Sequence, residues 1–192
     1  MPASPLLPQE TAPFFVLAAS PRPGGNSDTA AGLFLQGYSR AEAAAREGQG
    51  ESVAHDAGSG DGPKPVYLRS HRVEPCVSCN ACSHAARHMT NPDLAEAGAS
   101  GPGPSLHFGC PLTLKDDSTP LLRLLAKAEG LCIVAPIYFY HLPAALKALV
   151  DRTQPFWSLR DAGVTCYSAQ KPRSCHVILL AARTKGDKLF EG

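Results

Sequence analysis

Two stretches of this sequence bring chemistry-bearing residues together at short intervals. The first is Ser20-Pro21-Arg22-Pro23-Gly24-Gly25-Asn26-Ser27. It follows the apolar run Phe14–Ala19 and precedes Ser27-Asp28-Thr29, which starts a helix-like pattern. Glycines let a backbone approach a ligand closely and adopt positive φ. The first N–H groups of a helix have no partner within it, and they sit at the positive end of its dipole. A phosphate placed there would meet those N–H groups, Gly25, the side chains of Ser20, Asn26 and Ser27, and the charge of Arg22. The loop is neither a Walker GxxxxGK[ST] loop nor a GxGxxG turn. From composition alone, an anion seat and an ordinary tight turn before a capped helix both remain open.

The second stretch is Cys76-x-x-Cys79-x-x-Cys82, with Cys110 followed by Pro111. The C-x2-C-x2-C spacing suits three thiolates that must converge on one small object, as in a [4Fe–4S] cluster. Between Cys82 and Cys110 lies a long insertion, and closing a loop of that length carries only a modest extra entropic cost. Three readings stay open: a cluster on Cys76, Cys79, Cys82 and Cys110; free or redox-active thiols; or zinc completed by His84, His88 or His107. The remaining cysteines, Cys132, Cys166 and Cys175, lie in or near apolar strands and read as inert thiols. The chain carries seven cysteines in all, and without a secretory signal they favour metal or redox chemistry over disulfides.

The elements that must position these residues alternate along the chain. Phe14–Ala19 reads as a buried parallel strand, and apolar residues at helical spacing from Ala30 to Ala45 make the following helix. Residues 48–65 read as a flexible connection rich in Gly, Ser and Asp. Val66–Val73 alternates like a second strand, and one short helix is expected near Asn80–Met89. Asp116-Asp117-Ser118 caps a helix that ends at Gly130. Leu131–Ala135 is a third strand, Leu142–Thr153 a helix stopped by Pro155, and Cys175–Ala182 a fourth apolar strand. Lys147, Asp151 and Arg152 read as structural, with Asp151 and Arg152 pairing near the helix end. This order predicts an α/β fold: a doubly wound parallel sheet in three αβα layers. Residues 1–13 form an N-terminal tail, and 14–192 one domain with a Cys-rich insertion at 74–116. Ten residues follow the fourth strand, so the final strand and helix of such a sheet are not visible; either the chain is a fragment, or a neighbouring subunit covers that edge.

Bulk properties narrow the function classes. The formal net charge of +1 provides no general pull toward nucleic acid or anionic membrane. No apolar run approaches the roughly 18–20 residues of a membrane span, and the N-terminus lacks a signal-peptide pattern, so a cytoplasmic location is expected. No paired carboxylates or Ser/His/Asp arrangement calls for a hydrolase.

Taken in order, the motifs resemble a known family. Ser20-x-Arg22-x-x-Gly25-Asn26-Ser27, then Pro75-Cys76-x-x-Cys79-x-x-Cys82 with Cys110 and Asp116-Asp117, then Ala135-Pro136-Ile137-Tyr138-Phe139 with Pro143, Lys147 and Asp151-Arg152, together are similar to the NADPH-dependent FMN reductase and iron–sulfur flavoprotein branch of the flavodoxin-like superfamily. The resemblance covers roughly residues 14–182. It implies FMN, with its phosphate on Ser20, Arg22, Gly25, Asn26 and Ser27. It implies that Pro136, Ile137, Tyr138 and Phe139 lie beside the ribityl chain and ring, with Ala182 and Arg183 approaching the ring. It further implies an electron-transfer oxidoreductase fed by NAD(P)H or by a redox protein partner, an electron relay through a [4Fe–4S] cluster, and a homo-oligomer. A non-enzymatic FMN-binding carrier or redox sensor is the alternative from another class; a remnant that binds no cofactor is a third.

Overall fold

The computed structural model describes residues 14–48, 64–88, 110–162 and 173–181. Its centre is a parallel sheet built from β1 (Phe14–Ala18), β2 (Val66–Tyr67), β3 (Gly130–Pro136) and β4 (Ser174–Leu180), in the order β2-β1-β3-β4. Every pairing is parallel, with Leu17 beside Val66 on one side and Ile133 on the other, and Ile133 beside Val177. All five residues of β1 are buried, which is why that strand reads as an unbroken apolar run.

Helices lie on both faces. The α1 helix (Asn26–Glu47) covers one: Phe14, Val16, Ala18, Cys132 and Val134 pack against its Ala31 and Leu35. The other face takes α2 (Ala81–His88), α3 (Ser118–Lys127), α4 (Ala144–Asp151) and α5 (Gln154–Asp161). There Phe15, Leu17 and Ala19 pack with Ala86, Leu121, Leu122, Leu146, Leu149 and Leu159. The period of two along β1 and β3 divides the core into these two clusters. This is the three-layer, flavodoxin-like α/β architecture. Gly130 opens β3 because a Cβ there would collide with the Phe14 ring.

Three elements depart from expectation. The second strand stops at Tyr67, and Leu68–Ser70 form a 3-10 turn, with Leu68 buried and Arg69 turned toward the start of α1. Pro155 does not end the helical region. The chain turns at Arg152 and Thr153, where the Thr153 hydroxyl donates to the Val150 carbonyl at 2.7 Å, and Pro155 enters the first turn of α5. A missing N–H costs nothing at that position. The fourth strand is apolar but not enclosed: Cys175, Val177 and Leu179 are exposed on one face, while His176 on the other lies against Phe14 and Phe34. Ala182, the expected last residue of that strand, lies outside the described residues.

Candidate functional site

The loop between β1 and α1 is shaped by its own side chains. The buried Ser20 hydroxyl donates to the Arg22 carbonyl and accepts from the Arg22 N–H, both at 3.2 Å. Gly24 has φ +67°, a conformation that penalises any residue with a Cβ. The Gly25 carbonyl starts α1 by accepting from Asp28 N–H at 3.0 Å and Thr29 N–H at 3.1 Å. The N–H groups that open a helix have no partner within it. Space beside Gly24 and Gly25 is open, since an added Cβ would meet nothing within 4 Å at either. Arg22 and Asn26 are exposed at the rim, while Ser27 is buried at the base.

A clamp not anticipated from the sequence fixes this loop. Asp28 accepts two parallel hydrogen bonds from Arg69, at 2.9 and 2.8 Å, and a third from Gly24 N–H at 2.8 Å. Arg69 also lies 4.2 Å from the Tyr67 ring centroid, and its Nη1 reaches the Ser20 carbonyl at 3.4 Å. Bidentate pairs of this kind fix geometry as well as charge. They tie the loop to the end of β2. A carboxylate at the third helical residue also suits the helix dipole; only that second property of Asp28 is visible in sequence.

The segment after β3 ends at the same edge of the sheet. Ala19 N–H donates to the Val134 carbonyl at 2.8 Å, and Ile137 N–H to the Leu180 carbonyl at 2.9 Å. The C-terminal ends of β1, β3 and β4 therefore lie side by side. The chain leaves β1 toward β2 and returns to β3 on the other side, which is the switch point where open α/β sheets bind ligands. Tyr138 and His141 exchange two backbone hydrogen bonds of 2.9 Å around a two-residue turn, Phe139-Tyr140. Both turn residues have positive φ, +48° and +62°. Such turns favour Asn-Gly; two aromatics there are strained, by about 1–2 kcal/mol each. Phe139 is 98% exposed, so burial of its ring does not explain the strain. Ile137 and Tyr138 are half-buried, and Pro136 ends the strand. The structure thus brings Ser20, Arg22, Gly25, Asn26 and Ser27 into one loop and Pro136–Phe139 into the next. Ala182 and Arg183 lie outside the described residues.

The cysteines gather elsewhere. Cys76, Cys79, Cys82 and Cys110 line one pocket of about 570 Å³, with Ser78, Asn80 and the turn from Val150 to Pro155 completing its walls. No disulfide joins Cys76, Cys79 and Cys82. Among the described residues no three Cys, His, Asp or Glu side chains converge at metal-binding distance, so the four thiols share a wall without meeting at a point. Ser78 and Asn80, on either side of Cys79, have positive φ of +51° and +58°. Left-handed residues of this kind turn successive N–H groups toward anions and iron–sulfur centres. The Ser158 hydroxyl donates toward Cys82 Sγ at 3.9 Å and lies 3.0 Å from the Ser83 hydroxyl. His84 is exposed on α2; His107 lies outside the described residues.

Asp116 holds the frame of this pocket. Its carboxylate accepts from Ser118 Oγ at 2.7 Å, Ser118 N–H at 3.2 Å, Glu74 N–H at 2.9 Å and Arg152 Nη1 at 2.6 Å. Burial would raise its pKa, but the hydrogen bonds from Ser118 and Glu74 and the charge of Arg152 outweigh it and leave the carboxyl below its usual range. Asp117 exchanges hydrogen bonds of 2.8 Å with the backbone of Arg72. The Asp-Asp pair therefore does more than cap α3: it staples the extended segment leading to Cys76, through Arg72 and Glu74, onto that helix. Arg152 pairs with Asp116 and not with Asp151, which takes Lys147 instead, at 2.6 Å. No helix of the described residues is long and apolar enough to cross a membrane.

Comparison with known proteins agrees with this geometry. The family model for NADPH-dependent FMN reductases matches residues 67–174, more than half of the chain. That match begins after the loop at Ser20–Ser27, so the loop rests on its own geometry. An iron-sulfur flavoprotein of Methanocaldococcus jannaschii is 26% identical over 90 residues, which is 47% of this chain and 34% of that protein. The match with that relative thus spans about a third of its length. No solved structure matches. A parallel sheet in this strand order, an open glycine loop at its switch point and the family match from the end of β2 to the start of β4 lead to one conclusion: the chain belongs to the NADPH-dependent FMN reductase family.

Proposed function

We propose that this protein is an FMN-dependent electron-transfer oxidoreductase of the NAD(P)H:acceptor reductase type. The observation that carries the reading is the loop at Gly24-Gly25, open on its ligand side and feeding the N-terminus of α1 at the β1/β3 switch point. The residues present suit FMN. Arg22 and Asn26 are exposed where a phosphate would lie, Gly25 and Ser27 bring their N–H groups to it, and Ser20 holds the loop in shape. Pro136, Ile137, Tyr138 and Phe139 would flank the ribityl chain and ring, with Ala182 and Arg183 completing that side. When bound, FMN accepts a hydride from a nicotinamide nucleotide and releases its electrons onward; the protein binds, orients and shields it.

The thiol set suits an iron–sulfur centre better than zinc: four cysteines face one pocket, and a buried guanidinium donor stands in its wall. Cys76, Cys79, Cys82 and Cys110 would hold a [4Fe–4S] cluster, which would take electrons one at a time. A redox protein would receive them. We further infer a cytoplasmic protein acting as a homo-oligomer, with residues 14–192 as its FMN domain and 74–116 as the cysteine insertion.

The test is anaerobic mixing of the FMN-loaded protein with NADPH or NADH. Loss of the oxidised flavin absorbance is expected. An unchanged spectrum with either nucleotide would overturn the reductase and leave a carrier that exchanges electrons only with proteins.

A further inference from the structure

Arg152 is 3% exposed, yet only part of its guanidinium is satisfied. Nη1 donates to Asp116 at 2.6 Å and to the Glu74 carbonyl at 3.1 Å. Nη2 is equally buried and meets no acceptor among the described residues. Buried donors are almost always paired, so an orphan on a charged group calls for a missing acceptor. The residue itself forms part of the wall of the pocket lined by Cys76, Cys79, Cys82 and Cys110.

We propose that Arg152 is a positioning residue for a metal–sulfur centre in this pocket, with Nη2 donating a hydrogen bond to a cluster sulfur or a cysteine thiolate. The inference rests on the cluster reading given above and deepens it. Two features favour arginine for this task. The planar fork holds its two amines in a fixed relation, so anchoring Nη1 on Asp116 aims Nη2 in one direction. A lysine would satisfy Asp116 equally well but has no second, rigidly directed arm. The charge balance also fits. Arg152 and Asp116 neutralise each other, so the orphan N–H adds a directed dipole without a net charge in the wall. Ser158, donating toward Cys82 Sγ, is a second donor already turned to one of the four cysteine sulfurs. Hydrogen bonds to the sulfurs are among the factors that set cluster potentials, and they favour the more negative, reduced form.

The experiment uses the full chain reconstituted anaerobically with ferrous iron and sulfide, as wild type and as Arg152→Lys. Iron and sulfide content is measured first, then the midpoint potential of the cluster by redox titration. The lysine variant is expected to take up as much iron as wild type, and its reduction equilibrium to shift about tenfold toward the oxidised form, about 59 mV for one electron. Full iron content with an unchanged potential would overturn the role of Arg152 and leave the cluster standing. Absence of iron from wild type would overturn both. Should the lysine variant fail to fold, wild type with isotopically labelled arginine nitrogen decides by pulsed electron paramagnetic resonance of the reduced cluster: a coupled arginine nitrogen supports the proposal, and its absence overturns it.

Discussion

Asp28, at the start of α1, and Arg69, just past β2, are joined by two parallel hydrogen bonds of 2.9 and 2.8 Å across 41 residues of sequence. The pair lies directly under the proposed phosphate loop, because the same carboxylate also accepts from Gly24 N–H. A carboxylate so near a phosphate would repel it unless neutralised, and Arg69 supplies that neutralisation. Arg69→Met should therefore weaken FMN binding by about 1.4 kcal/mol, roughly tenfold. Asp28→Asn in the Arg69→Met background should recover part of the loss, since the uncompensated charge is then gone. Flavin fluorescence titrations of the four proteins form the cycle; purely additive losses would refute the compensation.

The Phe139-Tyr140 turn stores strain that its exposed rings do not repay within the protein. Replacing the two residues by Asn-Gly should raise the stability of the flavin-free protein by about 1–2 kcal/mol, or roughly 2–8 °C in Tm for a chain of this size. The same change should weaken FMN binding if the Phe139 ring lies on the flavin. Calorimetry and flavin titration on one preparation check both halves.

Asp116 contributes to acid sensitivity with a definite sign. Its folded pKa is depressed, so its stabilisation is complete above the unfolded carboxylate value of about 3.9 and is lost as pH falls toward the folded value. Asp116→Asn should cost about 3 kcal/mol at neutral pH, because it leaves the buried Arg152 uncompensated. The gap between variant and wild type should hold from about pH 6 down to about 4 and narrow as the pH falls further toward about 2. Urea unfolding midpoints across that range test it; a constant gap would assign the loss to packing.

Thiol reactivity should divide by environment. Burial, with the neighbouring Cys175 adding to it, pushes the Cys132 thiol up to about 11. Cys76, Cys79 and Cys175 are exposed. Iodoacetamide at mildly alkaline pH should modify those three in the native, metal-free protein and leave Cys132 untouched until denaturant is added. Peptide mapping by mass spectrometry gives the order of labelling.

Much of the frame was legible because it depends on local signals. The fully buried β1 shows as an apolar run, the β1–α1 loop as Gly-Gly before a helix start, and the family resemblance as motifs in a fixed order. What escaped depends on distant partners. Arg69 looks like one polar position in an alternating strand until the 3-10 turn swings it to Asp28. Arg152 looks like a neighbour for Asp151 until the fold brings Asp116 to it. Pro155 reads as a stop, although a proline suits a helix start equally well. The left-handed Phe139-Tyr140 turn has no sequence signature at all, since aromatics disfavour it. The four pocket cysteines were legible as a group, but their spacing did not reveal the buried guanidinium beside them.

The central claim is that the loop at Ser20–Ser27 seats the phosphate of FMN. Parallel titration of the purified chain with FMN and with riboflavin, which lacks the phosphate, tests it most directly. Tight FMN binding, much weaker riboflavin binding, and a loss of that difference on Arg22→Ala/Asn26→Ala substitution are expected. Equal affinity for the two flavins, or no flavin uptake, would contradict it.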